Sequence, residues 1–217
     1  MHRVSRNHHI HAVLFDWDGT LLNSFESDAC AYEAMFAQIG IAWGRDELKR
    51  HYSPNWHKVY IAAGILQSRW PDADRMWRAA YARQRPQLMP YACRILHGLA
   101  KTYELGIVSS GTRSRIRKQL RRFSLAREFR VCVCNEDSPR RKPHPAALSL
   151  AIARLHLRPS QVVYVGDSPE DVEMARCAGV CAIGIFGPFP NHERLRVSRP
   201  AALLESITAL PAALKRL

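Results

Sequence analysis

Asp16 and Asp18 stand two apart in Asp16-Trp17-Asp18-Gly19-Thr20, directly after a short apolar run. Carboxylates at that spacing can point into one pocket, where one attacks an electrophile and the other exchanges a proton. Gly19 lets the backbone turn tightly and bring amide N–H groups to an anion. A polar strand-to-helix turn would have the same residues. Gly166-Asp167-Ser168-Pro169-Glu170-Asp171 follows a second apolar run, Val162 to Val165. Asp171 lies one helical turn beyond Asp167 and faces the same way. Asp16 and Asp167 together suit a hard cation such as Mg²⁺, which takes few protein ligands and fills its shell with water and phosphate. Acids at a helix start also suit the helix dipole, the structural alternative for Glu170 and Asp171.

Lys142 sits in Arg141-Lys142-Pro143-His144-Pro145, a loop stiffened by its prolines. It can neutralise a phosphate or the attacking carboxylate; the alternative is an ordinary exposed lysine. Ser109 and Ser110 end the apolar run Leu105 to Val108. Their hydroxyls can donate to a phosphoryl oxygen beside backbone amides, or Ser109 can simply cap a helix.

These residues need a scaffold. Strands are expected at 12–15, 105–108, 129–134, 162–165 and 180–186. Helices are expected at 24–39 (Ser24 as cap, Gly40 as stop), from Ser53-Pro54 to Gly64, from Trp70-Pro71 to about Arg85, and at 91–102, 113–122, 145–156, 169–178 and 200–215. Alternating strands and helices give an α/β fold with helices on both faces of a parallel sheet. Ligands of such sheets bind beyond the carboxyl ends of the strands, where Asp16, Ser109 and Asp167 fall. The stretch 21–88 has helices and no clear strand. It reads as an all-helical insertion, with 1–20 and 89–217 as the α/β core. Hinges are expected near 20–24 and 86–90.

The 217 residues, 47% hydrophobic and 24% charged, suit a globular protein with its own core. No apolar stretch is long enough to span a membrane, and the start lacks a signal-peptide core. A cytoplasmic location is expected. Six cysteines, at 30, 93, 132, 134, 177 and 181, are too sparse for a disulfide scaffold. Cys132 with Cys134 and Cys177 with Cys181 lack zinc-site spacing and read as buried structural thiols. His8, His9 and His11 read as a polar terminus rather than a metal tail. The net charge of +13 attracts anions without saying which. Much of it lies in Arg113, Arg115, Arg117, Lys118, Arg121, Arg122, Arg127 and Arg130. Phe123 and Phe129 are too few for a nucleic-acid stacking platform, so this run reads first as a solvated basic face.

In combination and order, Asp16-Trp17-Asp18-Gly19-Thr20, Ser109, Lys142-Pro143 and Gly166-Asp167-x-x-x-Asp171 resemble the four motifs of the haloacid dehalogenase (HAD) superfamily. The resemblance spans essentially the whole chain. Leu21-Leu22-Asn23-Ser24 and Ala175-Arg176-Cys177-Ala178-Gly179-Val180 resemble its phosphoglycolate phosphatase-like branch. Three features depart from the branch. Trp17 is bulky, Ser110-Gly111 stands where Asn then Lys is common, and His51 to Lys58 lacks a glycine-rich turn.

The resemblance implies a Rossmann-like doubly wound sheet with an inserted helical cap. It implies an Mg²⁺-dependent phosphatase of a small phosphorylated metabolite, working through an aspartyl-phosphate. Asp16 would be the nucleophile and Asp18 the general acid and base. Gly19, Ser109, Ser110 and Lys142 would hold the phosphoryl group. Asp16, the Asp18 backbone carbonyl and Asp167 would bind the metal, with Asp171 orienting its shell. The cap residues Arg45, His51, Asn55, His57 and Lys58 are candidates for reading the leaving group, or are plain helix surface. A sugar phosphomutase of the same fold, and a basic nucleic-acid-binding protein without turnover, are the competing readings. The expected assembly is a monomer, with a dimer as the alternative.

Overall fold

The computed structural model describes residues 10–217; the expectation for His8 and His9 lies outside the described residues. The chain runs β1 (Ala12–Phe15), β2 (Leu22–Asn23), α1 (Phe25–Ile39), α2 (Arg45–His51), α3 (Trp56–Ala62) and α4 (Trp70–Tyr81). It continues with β3 (Gln87–Leu88), α5 (Ala92–Leu99), β4 (Glu104–Val108), α6 (Arg113–Arg122), β5 (Phe129–Val133) and α7 (Ala146–Arg154). It ends with β6 (Val162–Gly166), α8 (Pro169–Cys177), β7 (Cys181–Ile185), α9 (His192–Val197), β8 (Ala202–Leu204) and α10 (Leu210–Leu214). Six strands form one sheet in the order β5-β4-β1-β6-β7-β8, every pairing parallel.

Side chains alternate across each strand, so the apolar runs feed two cores. Val13, Phe15, Val163 and Val165 pack under α5, α6 and α10. Ala12, Leu14, Val162 and Tyr164 pack under α7, α8 and α9. Both faces are covered, the doubly wound arrangement. A third cluster joins α1 to α4, including Phe25, Tyr32, Phe36, Leu48, Tyr60 and Ala73. Phe189, from the loop after β7, reaches into it. Gly40 ends α1 in the left-handed conformation expected of a C-terminal glycine, with φ 77°.

The structure corrects four expectations. Residues 21–88 are not free of strands, since β2 pairs antiparallel with β3, Leu22 opposite Leu88. Two-residue strands carry too little periodicity to read. The pair brings the chain entering the helical segment alongside the chain leaving it. Residues 200–215 are not one helix. β7 offers an open edge that Ala202–Leu204 fills in register with Ile183–Ile185. Only Leu210–Leu214 remains α-helical. The short α2 and α9 were not expected, and α4 stops at Tyr81 rather than Arg85. Finally, of the four cysteines expected to be buried only Cys134 is; Cys132 and Cys181 are half-buried and Cys177 is exposed, and all six cysteines are free.

No described helix is long and apolar enough to cross a membrane. Trp17 is fully buried and its indole donates to Gln119 Oε1 at 2.9 Å, which answers the question of its bulk.

Asp137 staples the loops beneath the site. Its Oδ1 accepts from Arg113 and Arg154 at 3.0 Å each, and its Oδ2 from the Cys134 amide at 2.9 Å. Burial would raise its carboxyl, but the amide and the two guanidiniums hold it below its ordinary value of 3.8. Asp137→Asn is expected to lose about 1 kcal/mol, a modest figure because both arginines are largely solvated. Urea melts should show the full difference above pH 3.8. It should fade as pH falls below that toward the lowered folded value, since a depressed carboxyl stabilises only while ionised. A difference independent of pH would assign the effect to packing.

Candidate active site

β4, β1 and β6 are adjacent at the middle of the sheet, and each ends in a polar residue. Asp16 follows β1, Ser109 follows β4 and Asp167 follows β6. The sheet ladder continues into these residues: the Asp16 amide donates to Val165 O at 2.9 Å and the Ser109 amide to Val133 O at 3.0 Å. Their side chains are therefore aimed by strand backbone rather than by loops.

Lys142 comes from the loop before α7 and is only 4% exposed. It is not a surface lysine. Its Nζ lies 2.8 Å from Asp16 Oδ1 and 2.8 Å from Asp171 Oδ1, and donates to the Tyr164 hydroxyl at 2.9 Å. That hydroxyl in turn donates to Val108 O at 3.0 Å. Burial alone would lower the lysine's pKa, but the two carboxylates outweigh it and raise the value, so Lys142 is a cation here.

Asp171 uses both oxygens. Oδ1 meets Lys142, while Oδ2 accepts from the Ser168 hydroxyl at 2.6 Å and the Ser168 amide at 3.1 Å. It thus closes a capping box at the start of α8 and anchors the lysine at once. The same side chain is thus a helix-terminal acid and a direct neighbour of Lys142. Gly166 is required for this approach, because a Cβ there would collide with the Asp171 carboxylate.

Asp16, Asp167 and Asp171 place ligand atoms within 4.8 Å of one another, all buried. Thr20 donates to Asp167 Oδ1 at 3.0 Å. Gly19, at φ 82°, passes so close to Asp167 that a Cβ would strike its Oδ2. One lysine faces three carboxylates. Burial first, then Asp171, push Asp16 up to about 7 against the pull of Lys142. Burial, Asp171 and Asp16 raise Asp167 well above its ordinary value. That excess of buried negative charge is what a divalent cation would relieve. No hydrogen bond among the described residues engages the Asp18 carbonyl, leaving it free to join Asp16 and Asp167 as a ligand. The donor set is all oxygen and fits a hard cation.

The Asp18 side chain turns the other way, onto Arg115. The guanidinium donates from both Nη atoms, at 2.9 Å to Oδ1 and 2.6 Å to Oδ2. Burial would raise the Asp18 carboxyl, but Arg115 holds it below its ordinary value. Arg115 is thus not part of a solvated basic face; its side chain is only 16% exposed. Gly111 leaves room for it, since a Cβ there would strike Arg115 Nη2. A local signal existed: Arg115 and Gln119 are one turn apart, beside the buried pair Ile116 and Leu120.

Ser109 Oγ accepts from the Gly111 amide at 3.0 Å; it does not cap α6, whose N-cap is Thr112. Ser109 and Ser110 both line a cavity of about 180 Å³ that opens over Asp16, Asp18 and Asp167. Its far wall comes from the helical segment and is aromatic, with Tyr32, Tyr60, Trp77 and Tyr81 joined by Asp28 and Asp74. None of Arg45, His51, Asn55, His57 and Lys58 lines it. Arg45 is instead engaged by Glu26 and Glu33 on the outer surface.

The family description "Haloacid dehalogenase-like hydrolase" matches residues 13–185. A phosphoglycolate phosphatase of Shigella dysenteriae is 31% identical, the match covering 94% of this chain and 92% of the relative. The pyrophosphatase PpaX of Bacillus pumilus is 27% identical over 93% of this chain and 94% of its own. A solved hydrolase from Pseudomonas syringae superposes with a TM-score of 0.84 at 19% identity, over 95% of this chain and 99% of that one, a likeness of fold.

Proposed function

The chain belongs to the haloacid dehalogenase-like hydrolase family, a hydrolase of phosphoric monoesters, and we propose that it is an Mg²⁺-dependent phosphatase of a small phosphorylated metabolite, working through an aspartyl-phosphate on Asp16. The observation that carries this reading is the Lys142 bridge between Asp16, just after β1, and Asp171, in the first turn of α8, with Asp167 alongside and an open cavity above.

Asp16 attacks the phosphorus, and the bond to the leaving oxygen breaks. This divides one hard displacement into two easier ones. Asp16, the Asp18 carbonyl and Asp167 would hold the Mg²⁺, whose charge would offset the repulsion between a phosphate dianion and the attacking carboxylate. Lys142 serves the same end from the opposite side and keeps Asp16 in place. Asp171 acts through Lys142 and the metal's shell rather than on the substrate. Ser109, Ser110 and Lys142 receive the phosphoryl oxygens; the Gly19 amide, expected to join them, is instead taken by Leu22 O at 2.8 Å.

Asp18 protonates the leaving alkoxide and then takes a proton from the water that cleaves the acyl phosphate. Its bidentate bond to Arg115 favours the ionised form. The acid role therefore requires substrate to loosen that pair first. Residues 21–88 act as a cap over a core of 1–20 and 89–217, and the β2–β3 pair is the hinge through which the cap moves.

Hydrolysis of a panel of phosphomonoesters, phosphoglycolate and an activated aryl phosphate included, tests this reading. Phosphate release is expected with Mg²⁺, and a loss of at least about 100-fold with a chelator, restored by added Mg²⁺. Release indifferent to chelation would remove the metal from the scheme. Turnover only after adding a sugar bisphosphate would favour the phosphomutase.

A further inference from the structure

The cavity wall opposite the strand ends is built by two helical stripes. Ser24, Asp28 and Tyr32 recur every four residues on α1 and its cap, and Asp74, Trp77, Arg78 and Tyr81 share one face of α4. The aromatic part is continuous with the catalytic end. Tyr81 lies under the Arg115 guanidinium at 5.1 Å, Trp77 stacks on Tyr81 at 4.8 Å, and Tyr32 meets Trp77 edge-on at 6.1 Å.

The charges in this wall are mostly spoken for. Arg115 holds Asp18. Asp74 accepts from Trp56 Nε1 at 3.0 Å and the Tyr60 hydroxyl at 2.9 Å, with Arg78 at 3.8 Å. Arg141 lies on the Trp56 ring at 3.7 Å and donates to Asn135 at 2.6 Å. Asp28 differs: it lines the cavity and has no ion-pair partner among the described residues.

We propose that the leaving group of the substrate carries an ammonium, held by Asp28 and by the rings of Tyr32 and Trp77; the substrate class is then a phosphoester of an amino alcohol. This rests on the phosphatase reading above. A carboxylate paired with aromatic faces is the chemistry that recognises an alkylammonium, because ring quadrupoles and the anion act in the same direction. A leaving group ending in a carboxylate would meet Asp28 and the negative faces of those rings. Burial, reinforced by the Asp18 charge, outweighs the pull of Arg115 and a Trp77 hydrogen bond and pushes Asp28 up to about 8, so the carboxyl has use for a counter-charge of its own. An ammonium supplies one.

The test compares choline phosphate with its uncharged carbon isostere, 3,3-dimethylbutyl phosphate, and with phosphoglycolate, in the wild type and in Asp28→Asn. An aryl phosphate serves as the control for turnover. The wild type should prefer choline phosphate over the isostere by about tenfold or more in kcat/KM, with phosphoglycolate poorest. In Asp28→Asn that ratio should collapse to near one. A wild-type ratio near one, a preference that survives in Asp28→Asn, or phosphoglycolate as the best ester would each overturn the proposal. The wild-type ratio needs no variant to fold. Failure on the aryl phosphate would count against the phosphatase reading instead. Calorimetric binding of choline phosphate against the isostere then still decides whether the ammonium is recognised.

Discussion

Asp16→Asn will abolish phosphate release, with kcat falling by about 10⁴-fold or more, while the protein stays folded. The amide keeps the shape of the side chain but offers no anionic oxygen to the phosphorus. The Lys142 ammonium keeps its contact with Asp171 and the Tyr164 hydroxyl, so the cation is not stranded. Burying a neutral amide where burial and a neighbouring acid press against ionisation should leave stability unchanged or about 1 kcal/mol higher. Thermal melts therefore separate a lost nucleophile from a lost fold. Acid quenching with labelled substrate adds a covalent readout: a phosphoprotein in the wild type and none in the variant. Activity within tenfold of wild type would remove Asp16 from the attacking role.

The strands were legible because four or five apolar residues in a row, closed by a polar residue, have few other readings. Asp16, Ser109 and Asp167 could be placed at one edge of the sheet for that reason alone. The elements that escaped are those whose existence depends on a distant partner. β8 is three residues of helix-forming composition turned into a strand by the free edge of β7. β2 and β3 exist only because they meet each other across the helical segment.

The same division runs through the site. Motif residues follow their own strands, whereas Arg115 and Asp28 are marked only by their phase on a helix. Arg115 is one of many arginines in its stretch, and its partner Asp18 is far away in sequence. Asp28 stands near Glu26 and Glu33 on α1, and only its phase with Ser24 and Tyr32 sets it apart. Charge count read the first as solvated surface and passed over the second. Spacing against the buried stripe would have picked out both.

Lys142→Met should cost about 3 kcal/mol of stability and about 10³-fold or more in kcat/KM, because one buried cation serves both purposes. The methionine fills the lysine's volume, so packing is not the main loss. What goes is the charge between Asp16 and Asp171, which lie within one buried group with Asp167. Without it the carboxylates must take up protons or face one another unneutralised, and a protonated Asp16 does not attack. The two losses can be separated. Adding Asp171→Asn to Lys142→Met removes one of the stranded acids and should return a good part of the stability, a non-additive coupling expected of residues in contact. It should return no activity, since Asp16 still lacks the cation that holds it charged and aimed. Chemical melts and initial rates on the single and double variants check this. Recovery of both together would mean that Lys142 serves the fold alone. Recovery of stability without turnover assigns it a part in the reaction beyond its part in the fold.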